Sequence, residues 1–146
     1  MFIKQVSIFL ENSKGTLYEL TKLLGDAKID LLALSIADTE NFGIVRCIVR
    51  DAEIDPALEK LRGAGYTAKV NDVICAGVPH RPSGLSDILE IIEKEGVSVE
   101  YLYSFMFGSG DEAYIVIRPS DKEKGLTVLE KNGIKIIDQK TVDAIK

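Results

Sequence analysis

The 146-residue chain has a single histidine and only two cysteines, which removes most routes to bond-making chemistry. His80 stands alone in a loop beside Arg81 and Pro82. A histidine so placed reads as a surface or ligand-touching residue rather than a general base. Cys47 and Cys75 are widely spaced and each lies inside a strand-like apolar run, the pattern of two buried reduced thiols and not of a disulfide. No serine or cysteine occupies a nucleophile-elbow setting, and no pair of carboxylates is singled out by its surroundings. There is no glycine-rich phosphate loop. Metal ligands are scattered, and Asp87, Glu90, Glu93, Lys94 and Glu95 read as the solvated stripe of a helix. The sequence therefore predicts no catalytic residue, no metal and no cofactor.

Long apolar runs are also missing. None approaches the ~20 residues needed to cross a bilayer, and Met1 to Gln5 lacks the basic and apolar regions of a secretory signal. A cytoplasmic protein with no membrane partner is expected. The net charge of −5 and pI of about 5.0 repel phosphate backbones, which argues against nucleic acid as a partner.

What the chain does have is a repeat. Its length suits one domain or two of roughly 70 residues, and 46% hydrophobic with 28% charged residues is a globular balance. Shifting the sequence by 68 positions aligns the halves without a gap: Leu17 on Leu85, Leu20 on Ile88, Leu24 on Ile92, Ile29 on Val97. Further on, Cys47 falls on Ile115, Val49 on Ile117, Arg50 on Arg118, Leu61 on Leu129 and Gly65 on Gly133. Identity is low but the apolar pattern persists, as in two copies of one supersecondary unit. Domains over 1–71 and 72–146 follow, joined so tightly at Asn71-Asp72 that their placement is expected to be fixed.

Within the first copy, Val6, Ile8 and Leu10 alternate with period two, predicting a strand. Leu17, Leu20, Leu23, Leu24 and Ala27 recur at helical spacing. Two strands follow, carrying Leu32, Leu34 and Ile36, then Val45, Cys47 and Val49, with Glu40-Asn41-Phe42-Gly43 as the turn. Asp55-Pro56 opens a second helix, Gly63-Ala64-Gly65 stops it, and Tyr66 to Val70 forms a last strand. The second copy places strands at 73–78, 97–107, 113–118 and 134–137, helices at 84–95 and 121–132, and a short terminal helix in 139–146. The fold class is α+β: two tandem ferredoxin-like βαββαβ domains, each an antiparallel sheet with its helices on one face. The opposite face, carrying Ile44, Arg46, Ile48 and Arg50 in one copy and Glu112, Tyr114, Val116 and Arg118 in the other, is too apolar for water and too charged for a core. It predicts a contact surface between domains or subunits.

The turn between first strand and first helix is the candidate site. Glu11-Asn12-Ser13-Lys14-Gly15-Thr16-Leu17 has Pro79-His80-Arg81-Pro82-Ser83-Gly84-Leu85 as its repeat partner. Glycine at a helix start admits a ligand close to the backbone, and the free N–H groups of the first turn suit a carboxylate. Plain helix capping explains the same residues.

The βαββαβ order together with an apolar strand, Asn12-Ser13-Lys14-Gly15-Thr16-Leu17 and an amphipathic helix resembles the ACT domain, whose opening is Asn-x-Pro-Gly-x-Leu. Lys14 stands where proline is usual, and the second copy has its glycine one place later. Leu34 to Thr39 and Phe42 to Arg46 look like the small stand-alone tandem ACT proteins. The resemblance implies a regulatory, non-enzymatic module, a homodimer or other homo-oligomer, that binds a small ligand, an amino acid above all, and stabilises domain or subunit association. Any regulated activity would belong to another protein or be reached through oligomerisation. One implied site uses Asn12, Lys14, Gly15, Thr16 and Leu17 against Leu102 and Tyr103. Its pseudo-symmetric mate uses His80, Pro82, Gly84 and Leu85 against Leu34, Ser35 and Ile36. Alternatives on the same scaffold are an acylphosphatase-type hydrolase, for which the Asn12 turn lacks an arginine, and a ligand-free dimerisation module. An RNA-binding sheet would need more aromatics than Tyr103 and Tyr114 and the opposite charge.

Overall fold

The computed structural model describes residues 1–11, 13–38 and 42–146, without the side chains of 38, 42 and 107–109. Asn12 and most of the predicted turn at Glu40-Asn41-Phe42-Gly43 lie outside the described residues. The elements run β1 (Ile3–Glu11), α1 (Thr16–Asp26), β2 (Ala33–Asp38), β3 (Phe42–Ile48), α2 (Asp51–Gly63), β4 (Thr67–Pro79), α3 (Gly84–Lys94), β5 (Val99–Ser109), β6 (Glu112–Pro119), α4 (Lys122–Lys131) and α5 (Gln139–Asp143). The content is α+β with antiparallel sheets, in the βαββαβ order. The chain divides into two compact units, one comprising Lys4–Asn71 with Ile145, the other Met1–Ile3, Asp72–Ala144 and Lys146.

In the Lys4–Asn71 unit, β3 is flanked by β1 and β2, both antiparallel, with Val6 opposite Cys47 and Leu34 opposite Cys47. The period-two alternation puts Val6, Ile8 and Leu10 of β1 and Val45 and Cys47 of β3 on the helix-facing side. There they meet Leu20 and Leu24 of α1 and Ile54, Ala57 and Leu61 of α2. Burying such side chains is worth roughly 1.5–3 kcal/mol each and holds the helical layer to the sheet. On the opposite face Gln5 and Ser7 are buried and paired: Gln5 Nε2 donates to Ser7 Oγ at 3.1 Å and Ser7 Oγ donates to Asn71 Oδ1 at 2.6 Å. Helix α2 starts a turn earlier than Asp55-Pro56 suggests. Glu53 reaches back to the Arg50 backbone N–H at 3.4 Å while its own N–H donates to the Arg50 carbonyl at 2.9 Å. These bonds secure a start ahead of Pro56, which then sits inside the helix at the cost of one backbone hydrogen bond.

In the Asp72–Ala144 unit, β6 lies between β4 and β5, with Cys75 opposite Val116 and Tyr103 opposite Val116. Ile74, Ala76 and Val78 of β4 and Ile115 and Ile117 of β6 pack on Ile88 and Ile92 of α3 and Leu126 and Leu129 of α4. The predicted last strand is reduced to a bridge between Ile136 and Ala76, supported by bonds from Gly77 to the Lys135 carbonyl and from Ile137 to the Cys75 carbonyl. The predicted terminal helix is α5, capped by Asp138, whose carboxylate accepts from the Thr141 N–H at 2.8 Å and its hydroxyl at 2.7 Å. Those two bonds hold the Asp138 carboxyl below the usual carboxylate range. Residues 67–79 form one continuous strand where the sequence suggested two separated by Asn71-Asp72.

The face predicted as a contact surface is largely hidden. Ile48 and Val116 are fully buried, Tyr114 nearly so, and Arg46 and Arg118 half-buried.

Candidate functional site

A cleft of about 170 Å³ opens beside the first turn of α1 in the Lys4–Asn71 unit. Leu10 and Glu11 at the end of β1, Ser13 in the turn, and Thr16 and Leu17 at the start of α1 form one side. Ile36 of β2 and Gly43 of β3 close the other. These positions converge because β2 and β3 are registered with Ile36 opposite Val45 and β1 with β3 so that Leu10 faces Gly43. The strand ends thus bring their last side chains beneath the helix start.

Helix α1 begins behind Gly15, which holds φ +86°, a left-handed conformation that glycine adopts without the steric penalty of a Cβ. Gly15 has no side chain to cap the helix, and the two hydroxyls of the turn bond locally without capping it. Ser13 Oγ and Thr16 Oγ1 are 2.7 Å apart, and Thr16 Oγ1 donates to the Ser13 carbonyl at 2.9 Å. Glu11 is the one charged group among the described lining residues. Leu17 and Ile36 remain 37% and 46% exposed, large apolar surface left open at a concave site. The arrangement offers a carboxylate, two hydroxyls, the positive end of a helix dipole and an aliphatic wall within one small volume.

Of the predicted ligand-touching residues, Thr16, Leu17 and Ile36 meet in this cleft, although the family pattern assigned Ile36 to the other site. Lys14 and Gly15 are exposed in the same turn. Leu34 packs on the helix-facing core of its unit, and Ser35 is half-buried beside it. Sequence reasoning named Glu11 and Ser13 as part of the turn without assigning them to the site, and missed Leu10 and Gly43. Leu10 was legible as the last residue of the apolar alternation. Gly43 carries no local signal, since only strand pairing brings it there.

The repeat partner of the turn is built differently. Ser83 takes the left-handed position that Gly15 takes, at φ +70°. Gly84 is buried as the first residue of α3, and a Cβ there would lie 2.3 Å from the Pro79 carbonyl oxygen. That close approach explains why the glycine is one place later in this copy. Arg81 ties the turn down: its N–H donates to the Pro79 carbonyl at 2.9 Å, Nη1 to the Pro82 carbonyl at 3.1 Å, and Nη2 pairs with Asp87 Oδ2 at 2.9 Å. The exposed His80 donates its backbone N–H to the Asp111 carbonyl at 2.7 Å. Pro82 and Leu85 are exposed. Leu102 packs on the core of the Asp72–Ala144 unit, and Tyr103 is buried and stacked on Tyr101 at 6.5 Å between ring centres.

A larger groove of about 370 Å³ lies on the helical side of the Asp72–Ala144 unit, where Glu95, Glu123, Lys124 and Lys131 mix both signs of charge. It contains none of the predicted residues. Among the described residues no group of three or more His, Cys, Asp or Glu is placed to hold a metal, and no helix is long and apolar enough to cross a membrane. Cys47 and Cys75 are both free and buried, and burial pushes each thiol up to about 12. Neither has the low pKa of a reactive thiol.

The family model of the ACT domain pair matches residues 1–145. No curated protein matches the chain. Among solved structures, a Bacteroides thetaiotaomicron protein is 36% identical, with a TM-score of 0.87 over 99% of this chain and 98% of that one. The ligand-free regulatory subunit of aspartate kinase from Thermus thermophilus is 15% identical, with a TM-score of 0.62 over 88% and 91% of the two chains. The regulatory subunit of aspartate kinase from Thermus flavus is 16% identical, with a TM-score of 0.59 over 88% and 90%. At those identities the aspartate kinase subunits share the fold alone. The family match covers nearly the whole sequence, and the chain belongs to the ACT domain pair family.

Proposed function

We propose that this chain is a ligand-responsive regulatory module that binds a free amino acid and signals through the association of its domains or subunits. Each domain, 1–71 and 72–146, is one ACT copy in this reading. The observation that carries it is the cleft at the first turn of α1, where Thr16, Leu17 and Ile36 converge with Glu11 and Ser13. An amino acid matches these groups in kind. Its carboxylate suits the helix start and hydroxyls, its ammonium suits Glu11, and its side chain suits the aliphatic wall. Asn12 and Lys14 extend the same turn, and Lys14 adds a cation near a bound carboxylate.

The mechanism needs no bond chemistry. A ligand that binds one domain or subunit arrangement better than another shifts the population by its differential affinity, and a partner reads the shift. The chain acts as a cytoplasmic homo-oligomer, a dimer in the simplest case.

A thermal-shift panel of the twenty amino acids tests the reading. At 100-fold over Kd a true ligand stabilises by about 2.7 kcal/mol, or roughly 5–10 °C for a chain of this size. A flat response to all twenty by folded protein refutes it.

A further inference from the structure

We propose that the two copies of the turn have diverged in role. Each chain takes up one small aliphatic amino acid, at the first-copy cleft, with its ammonium group on Glu11. This rests on the ligand-binding reading above and narrows it to a ligand class, an orientation and a stoichiometry.

The divergence is visible position by position. Shifted by 68, Glu11 becomes Pro79, Ser13 becomes Arg81, Thr16 becomes Gly84 and Ile36 becomes Ser104, while strand pairing puts Ala113, opposite Val78, in the place of Gly43, opposite Leu10. At these positions the second copy thus has neither the acid nor the paired hydroxyls, and a serine replaces the aliphatic residue on β2. Its turn is also occupied with itself. Arg81 spans from the Pro82 carbonyl to Asp87, and the backbone of Gly84 sits against Pro79 with no room for a Cβ. Admitting a ligand there would break those contacts.

The first-copy cleft sets the ligand class by size and charge. About 170 Å³ falls below the roughly 300–1,000 Å³ of sites for drug-sized ligands and well above the ~30 Å³ of one water. A ligand of one short aliphatic body fits that range. Glu11 is the one charge among the described lining residues, so a ligand with an ammonium group gains an ion pair there that an amine-blocked one lacks. Leu10, Leu17 and Ile36 supply the aliphatic wall, and the latter two are large apolar side chains still partly open to water.

Isothermal titration of the full chain with glycine, L-alanine, L-valine and L-isoleucine tests this, with N-acetyl-L-valine as the amine-blocked probe. At least one of the four is expected to bind once per chain, and N-acetyl-L-valine not to bind. Glu11→Gln, at an exposed position, should weaken binding about fivefold to tenfold, and Arg81→Ala should leave it unchanged. Two ligands per chain, equal binding of N-acetyl-L-valine, or a loss on Arg81→Ala matching that on Glu11→Gln would overturn the proposal. Binding confined to acidic or aromatic amino acids would overturn it too, while leaving the ligand-binding reading intact. Failure of all twenty amino acids to bind would remove both.

Discussion

Replacing Gly84 with alanine should destabilise the protein, although the same change at Gly25 in α1 should stabilise it. Helix propensity by itself favours alanine over glycine by about 1 kcal/mol. At Gly84 the new methyl would stand 2.3 Å from the Pro79 carbonyl oxygen, a backbone atom that cannot swing aside. Restoring even a 3.0 Å separation requires the start of α3 and the end of β4 to part by about 0.7 Å. That carbonyl accepts the Arg81 N–H at 2.9 Å, so the movement also strains a bond worth about 1 kcal/mol. Overpacking of this kind costs typically 1–3 kcal/mol, which outweighs the propensity gain and gives a net loss of about 1–2 kcal/mol. Gly25 in α1 is the internal control. It is exposed and nothing lies within 4 Å of its prospective methyl, so Gly25→Ala should gain about 0.4–1 kcal/mol. Urea unfolding at a slope of about 2 kcal/mol per M would move the midpoint down by roughly 0.5–1 M for Gly84→Ala and up by a few tenths for Gly25→Ala. A Gly84→Ala protein as stable as the parent would refute the claim that this turn is packed shut.

Lys28→Gly should stabilise by about 0.5–1 kcal/mol in the same assay. Lys28 sits at φ +62° just past α1, in a closing motif where its N–H bonds the Gly25 carbonyl and the Ile29 N–H bonds the Leu24 carbonyl; glycine holds that conformation without the Cβ penalty. The cysteines should be silent toward a thiol reagent at pH 8 in the native protein and yield two equivalents after unfolding; fast native labelling of either would contradict its burial. Because burial raises both thiols from about 9 to about 12, the unfolded chain ionises first. Their contribution is therefore complete below about pH 9 and is lost as pH rises toward 12, at roughly 1 kcal/mol per pH unit for each thiol. A stability curve flat through that window, or one that Cys47→Ala and Cys75→Ala leave equally steep, would contradict this. Asp121→Ala should cost about 1 kcal/mol by removing the cap on the Lys124 N–H, which it accepts at 3.0 Å; an unchanged urea midpoint would count against it.

The sequence by itself determined the element order and the faces of each element. Period two in β1 and period 3.6 in α1 are local consequences of backbone geometry, so Val6, Ile8 and Leu10 could be assigned to the same side as Leu20 and Leu24 before any coordinates. The repeat was legible for the same reason, and at a shift of 68 it reaches the helix ends, where Lys28 holds the place of Gly96 and Gly65 that of Gly133; strand pairing breaks the gapless alignment at β6, where Ile117 and not Ile115 takes the place of Cys47. Tertiary structure alone decided how the site was composed. Strand register set Ile36 and Gly43 beneath the start of α1, and pairing partners far apart in sequence leave no local trace. Whether the second turn stands open or closed depended on one backbone approach, Gly84 against Pro79, and on the reach of Arg81 to Asp87. Periodicity reports which way a side chain points. What it meets there is a question of three-dimensional distance.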